Sequence, residues 1–92
     1  MNKGELVDRI SQKATVTKKQ ADAVLTAAIE TIMEAVSEGD KVTLVGFGSF
    51  ERRHRKEREG RNPKTGEKMS IPETNVPAFS PGKLFKDMVS PK

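Results

Sequence analysis

The sequence predicts a small α+β protein: two N-terminal helices, a three-stranded antiparallel sheet drawn out into a long protruding β-arm, and a short C-terminal helix. Three observations carry that prediction. Apolar residues recur at helical spacing through residues 6–14 and 21–36. From Glu51 to Lys68 the chain contains no Ala, Val, Ile, Leu, Met, Phe, Trp or Tyr at all. Eight of its seventeen Lys and Arg residues fall within residues 52–68, beside only Glu57, Glu59 and Glu67. That stretch is therefore +5, and because the whole chain is +4 the remainder is −1. The positive charge is localised, and the length of 92 residues without an internal repeat fits one domain.

The first helix is predicted over residues 3–14. Asn2 followed by Glu5 makes a capping pair, and Leu6, Val7, Ile10 and Ala14 repeat every three or four positions. The second helix opens on a fuller capping box, Thr17-x-x-Gln20, with Val16 placed to staple onto Ala21. Ala21, Val24, Leu25, Ala28, Ile29, Ile32, Met33 and Val36 sustain the pattern until Gly39, an ordinary helix stop. With Ala35 included, this stripe covers roughly half the helix circumference, whereas a helix facing one core shows about 100°. The excess predicts burial on two sides, against the chain's own sheet and against a second copy. The plainer alternative is a well-buried helix in a monomer.

Lys41 to Val45 alternates as a strand does, with Val42 and Leu44 on one face. Gly46-Phe47-Gly48 turns the chain, and Ser49-Phe50-Glu51 begins the second strand. A segment as polar as 51–68 buries no face of its own, so it must project into solvent as a loop or hairpin. Its centre, Gly60-Arg61-Asn62-Pro63-Lys64-Thr65-Gly66, is dense in turn residues. Met69, Ile71, Val76, Ala78 and Phe79 mark the returning strand, with Pro72 and Pro77 calling for edge positions or bulges. Ser80-Pro81 reads as N-cap and first residue of a last helix, whose apolar face is Leu84, Phe85, Met88 and Val89. Residues 1–50 and 75–92 thus form a body, and 51–74 the arm.

The chemistry lies in the arm. Arg53, Arg55, Arg58 and Arg61 supply guanidinium groups that pair with phosphates and fit narrow minor grooves, with Lys64 and Lys68 adding charge. Ten extended residues reach about 33 Å, enough to wrap partway around a duplex. A merely solvated charge run leaves unexplained why Asn62-Pro63 stands at the turn of a basic, apolar-free hairpin. From composition alone Pro63 reads first as an ordinary turn residue; the functional alternative is a wedge between base pairs. Lys3, Lys83 and Lys86 are candidate phosphate contacts from the body, as are the backbone N–H groups after Ser80; each lysine also reads as plain surface.

Other classes find little material. A helix-turn-helix would offer Asp22, Glu30 and Glu34 to phosphate with only Lys18 and Lys19 in compensation. Gly46-Phe47-Gly48 opens no helix and lacks a following Gly-Lys-Ser/Thr, so it is a tight turn and not a nucleotide loop. One histidine, His54, and no cysteine leave no serine triad, disulfide framework, thiolate site or multi-histidine metal site, and no cofactor is expected. No secretory signal or membrane-spanning run is evident, which predicts an intracellular, cytoplasmic protein.

Gly46-Phe47-Gly48-Ser49-Phe50, Gly60-Arg61-Asn62-Pro63-Lys64-Thr65-Gly66 and Val76-Pro77-Ala78-Phe79-Ser80-Pro81-Gly82-Lys83 closely resemble the bacterial HU and integration host factor family of histone-like proteins, over essentially the whole chain. The resemblance implies an intertwined dimer, a homodimer in the simplest case, that embraces double-stranded DNA of the nucleoid through the minor groove. It implies arm contacts at Arg53, Arg55, Arg58 and Arg61, a tip at Asn62 and Pro63, a body contact at Lys83, and intercalation by Pro63 that stabilises a bend; that wedge is a known property of the family. Arg52, His54, Lys56, Glu57 and Glu59 depart from the commonest pattern, so arm charge, affinity and bend angle are not carried over by the resemblance. The short end Ser90-Pro91-Lys92 is more similar to HU, which implies little sequence preference; the cost of unstacking a base step separately favours duplexes already bent, nicked or mismatched. RNA and acidic protein surfaces remain alternative partners.

Overall fold

The computed structural model describes residues 1–91, in the order α1 (Lys3–Ala14), α2 (Lys18–Ser37), β1 (Val42–Leu44), β2 (Gly48–Arg55), β3 (Arg58–Arg61), β4 (Lys68–Ile71), β5 (Thr74–Pro81) and α3 (Lys83–Val89). Residues 1–34 and 35–92 form two compact units.

In the first unit both helix starts are capped as their sequences require. The Asn2 side chain accepts from the Glu5 N–H at 2.9 Å. Thr17 Oγ1 accepts from the Gln20 N–H at 3.1 Å while Gln20 Oε1 accepts from the Thr17 N–H at 3.0 Å, a complete reciprocal box. Between them the chain turns through Thr15, left-handed at φ 56°, with the Val16 N–H donating to the Ser11 carbonyl. Val7 and Ala21 are buried, and the buried Ser11 hydroxyl donates to the Asp8 carbonyl at 2.7 Å. Lys18 Nζ lies 3.2 Å from Asp8 Oδ1.

The second unit begins with the end of α2. The Asp40 N–H donates to the Ala35 carbonyl and the Gly39 N–H to the Val36 carbonyl, the paired bonds of a Schellman stop. Gly39 takes φ +97°, the left-handed position that such a stop assigns to glycine. The sheet runs β1-β2-β5, all antiparallel, with Val42 opposite Phe50 and Phe50 opposite Phe79. Phe47, Phe50, Phe79 and Phe85 gather into one aromatic cluster, with centroids 4.8 Å apart for Phe50–Phe79 and a stacked 5.6 Å for Phe47–Phe85. Gly48 makes this packing possible: a Cβ there would stand 2.6 Å from the Ser80 carbonyl oxygen and 2.7 Å from the Phe79 ring.

Two expectations about the last helix are corrected. Ser80 and Pro81 are not its N-cap and first turn but the end of β5, opposite Ser49 and Gly48. The N-cap is Gly82, in extended backbone and without a side-chain cap bond, and the helix starts at Lys83. The Gly46–Gly48 turn decides this, because the Gly82 N–H donates to the Phe47 carbonyl at 2.8 Å and the Phe85 N–H to the Gly46 carbonyl at 3.2 Å. Of the N–H groups after Ser80, those of Gly82 and Phe85 are therefore committed within the protein. Pro77, as expected, sits on an edge strand, and Pro72 falls in a break between strands.

Candidate nucleic-acid interface

The arm consists of two ladders. The first continues the β2–β5 pairing out to His54–Asn75 and Arg55–Thr74. After a break at residues 56–57 and 72–73, β3 and β4 form a separate two-stranded ladder from Arg58–Ile71 to Arg61–Lys68. The polarity of 51–68 is thus accommodated as pairing without a core: most of the segment is exposed.

Beyond Arg61 the chain closes tightly. The Asn62 N–H donates to the Glu67 carbonyl at 2.8 Å, and the Gly66 N–H to the Asn62 carbonyl at 2.7 Å. Asn62 Oδ1 accepts from the Lys64 N–H at 2.9 Å, an Asx turn built over Pro63. Asn62 is half-buried by these bonds whereas Pro63 is exposed at the apex. The proline ring, fixed in φ and preceded by a locked asparagine, is thereby presented on a tip with little freedom to reorient.

The cations divide into two groups. Among the described residues Arg55, Arg58, Arg61, Lys64, Lys68, Lys83 and Lys86 form no ion pair, and all are exposed. Arg53 and Lys3 are engaged. Arg53 Nε lies 3.3 Å from Glu51 Oε1, and its Nη2 donates to Ser80 Oγ at 3.2 Å. Lys3 Nζ lies 3.4 Å from Asp22 Oδ1 and donates to Thr26 Oγ1 at 2.7 Å. Sequence reading missed these partners: Glu51 at i−2 on a strand was visible as a same-face neighbour, but Ser80 and Asp22 came within reach only through folding.

The pleat also sorts the arginines. Arg53 and Arg55 share one face of β2 with Glu51, opposite the face that carries Phe50. Arg58 and Arg61 fall on opposite faces of β3, Arg58 with Gly60, Ile71 and Met69, and Arg61 with Glu59, Ser70 and Lys68. Beyond the break the run of arginines is therefore not one stripe. His54, on the Phe50 face, pairs with Glu73 at 3.4 Å and meets Asn75 Oδ1 at 3.2 Å, while Ser70 Oγ donates to Glu57 at 2.7 Å.

No group of His, Cys, Asp and Glu among the described residues could hold a metal ion, and no helix is long and apolar enough to cross a membrane. A family model described as bacterial DNA-binding protein matches residues 1–90. A DNA-binding protein HU of Nostoc sp. is 78% identical over 91 residues, spanning 99% of this chain and 97% of that relative. HU 1 of Bacillus subtilis is 47% identical over 92 residues, the whole of both chains. Among solved structures, an Anabaena HU–DNA cocrystal structure superposes with a TM-score of 0.94 at 77% identity, covering all of both chains. HU from Thermotoga maritima gives 0.70 at 39% identity, covering 98% of this chain and 100% of that one.

Proposed function

Since the chain belongs to the bacterial DNA-binding protein family, the family of HU, we propose that it is a non-enzymatic architectural protein that binds double-stranded DNA through the minor groove with little sequence preference and bends it. It works in the cytoplasm, on the nucleoid, as a homodimer, with residues 1–50 and 75–92 as the dimer body and 51–74 as the arm. Arg53, Arg55, Arg58, Arg61, Lys64 and Lys68 meet phosphate or groove along the arm, and Lys3, Lys83 and Lys86 meet phosphate from the body. The observation that carries this reading is the tip: an exposed Pro63 on a turn locked by Asn62, flanked by Arg61 and Lys64, which form no ion pair among the described residues.

The homodimer is supported by how little the single chain buries. Val7, Ala21 and Val36 are its only buried hydrophobic residues among those described, and no large side chain is fully buried. Val24, Ile29 and Met33 of the wide α2 stripe stand 70%, 42% and 59% exposed, as do Leu84, Met88 and Val89 of α3 at 63–75%. Apolar exposure on that scale in a small chain calls for a partner surface.

Pro63 acts as a wedge. Unstacking a base step costs on the order of a few kcal/mol. Nicked or mismatched DNA has less stacking to lose, so it is favoured over intact duplex. Pro63→Ala removes the ring and keeps every charge. Its bend angle, read by energy transfer between the ends of a short duplex, falls clearly while its salt dependence stays near wild type. A variant that bends DNA as sharply as the parent would reduce Pro63 to a turn residue. Single-stranded RNA that competes as well as duplex would favour RNA as the partner.

A further inference from the structure

Arg52 stands first in the basic run, yet its side chain leaves the other arginines. The pleat that puts Arg53 and Arg55 on one face puts Arg52 on the other, with Phe50 and His54. There Arg52 Nη1 donates to the carbonyl oxygen of Ser37, the last residue of α2, at 3.2 Å. Its Nη2 lies 3.1 Å from the point where a Cβ on Gly39 would stand. The guanidinium therefore lies against the last turn of α2, residues 35–37, and over the glycine that ends it.

That helix end suits a cation. Carbonyls converge there, giving the negative end of the helix dipole, and the last turn of α2 holds no basic residue of its own. The Schellman bonds engage the Ala35 and Val36 carbonyls, and the Ser37 carbonyl next in line is the one Arg52 reaches. Gly39, bare of side chain, leaves the fork room to lie close. Across the ladder Arg52 faces Pro77, which offers no carboxylate, and among the described residues Arg52 forms no ion pair.

We propose that Arg52 is a positioning residue for DNA binding: it braces the root of the β-arm against the C-terminus of α2 and makes no phosphate contact itself. The inference rests on the reading of the arm as the DNA-binding element. Its leverage comes from position. About eleven extended residues, roughly 36 Å at 3.3 Å each, separate Arg52 from Pro63. A loosening of about 10° at the root would swing the tip by about 6 Å, close to two base-pair steps of 3.4 Å. A contact that adds little stability, being exposed, can thus decide where the wedge arrives.

The chain has no cysteine, so paired spin labels can be introduced cleanly at Lys41→Cys and Thr65→Cys, the labelled chains being diluted in unlabelled excess so that only intrachain distances are read. Arg52→Ala broadens the distance distribution in the free protein, and Arg52→Lys, which keeps a cation at the helix end, restores part of the width. In DNA binding Arg52→Ala weakens affinity several-fold and reduces the bend, yet leaves the slope of log K against log salt within about 0.3 of wild type per arm. Arg55→Ala, the control, lowers it by about 0.9 per arm. A slope loss equal to that control, recovered by Arg52→Lys, would make Arg52 a phosphate contact and overturn the proposal. Unchanged distance width would overturn it too. If the wild type itself shows no salt-dependent DNA binding, the DNA-binding reading fails, while the distance measurement still decides whether the brace exists.

Discussion

Arg55 and Arg58 can be replaced together by alanine to test how the arm uses its charge. Both are exposed and unpaired among the described residues, so each carries a full uncompensated cation. Each phosphate neutralised contributes about −0.9 to the slope of log K against log salt. The double variant should therefore flatten the slope by up to about 1.8 per arm, or about 3.6 for a dimer bearing two arms. Over a rise from about 50 to 200 mM salt, that dimer would lose roughly 100-fold less affinity than wild type. Arg53→Ala makes the internal comparison. Glu51 already sits 3.3 Å from Arg53, so fewer counterions are there to be released, and its slope change should be smaller than that of Arg55→Ala. The assay is fluorescence anisotropy on a short duplex across a salt series. An unchanged slope in the double variant removes the arm from the phosphate contacts; equal losses for Arg53→Ala and Arg55→Ala refute the distinction between paired and unpaired cations.

Two further outcomes are expected. Ile29→Asp should abolish folding and dimerisation together, because at a truly solvent-exposed helix position the change costs only a few tenths of a kcal/mol, whereas a carboxylate in a buried interface costs several; sedimentation and circular dichroism that found a folded wild-type monomer at micromolar concentration would contradict the dimer. Gly48→Ala should destabilise by about 1–3 kcal/mol or more, since its Cβ meets the Ser80 carbonyl and the Phe79 ring inside 3.0 Å at φ +152°; a melting temperature within a degree or two of wild type would mean that the β2–β5 edge relaxes freely.

Most of the architecture was legible because each element carried a local signal. Both helix starts announced themselves through capping residues, and the observed bounds of α1 are those expected, since Asn2 and Glu5 act within one turn. The arm was legible for the opposite reason: a stretch without apolar residues cannot be packed, only paired. Ser80-Pro81 misled because an N-cap preference is local, while the strand end is fixed from far away. Pairing with Gly48 and Ser49, and the two N–H bonds to the Gly46–Phe47 carbonyls, outweigh what a serine–proline pair favours by itself. The site was legible as charge and not as geometry. Counting found every basic residue of the arm, but the face each takes depends on the break at residues 56–57, and its partner depends on the fold.

That partnering gives the basic run an order of its own. Near the body, Arg52 is bonded to the Ser37 carbonyl and Arg53 is shared between Glu51 and Ser80. Farther out, from Arg55 through Arg58, Arg61, Lys64 and Lys68, no ion pair holds the cations among the described residues. The carboxylates of the segment follow the same division only in part, for Glu57 is engaged by Ser70 while Glu59 lies on the Arg61 face of β3. An arm with every cation free would gain more from phosphate but would also be free to swing about its root. One whose innermost cations are spent on internal contacts gives up some attraction and keeps its direction. The tip follows the same logic at smaller scale: Asn62 uses its amide and carbonyl to hold the turn, and Pro63 with its flanking cations Arg61 and Lys64 is left exposed. On the proposed reading, attraction and aim fall to different residues of one basic sequence, so replacing Arg55 should change the salt slope and replacing Arg52 or Pro63 should change the bend.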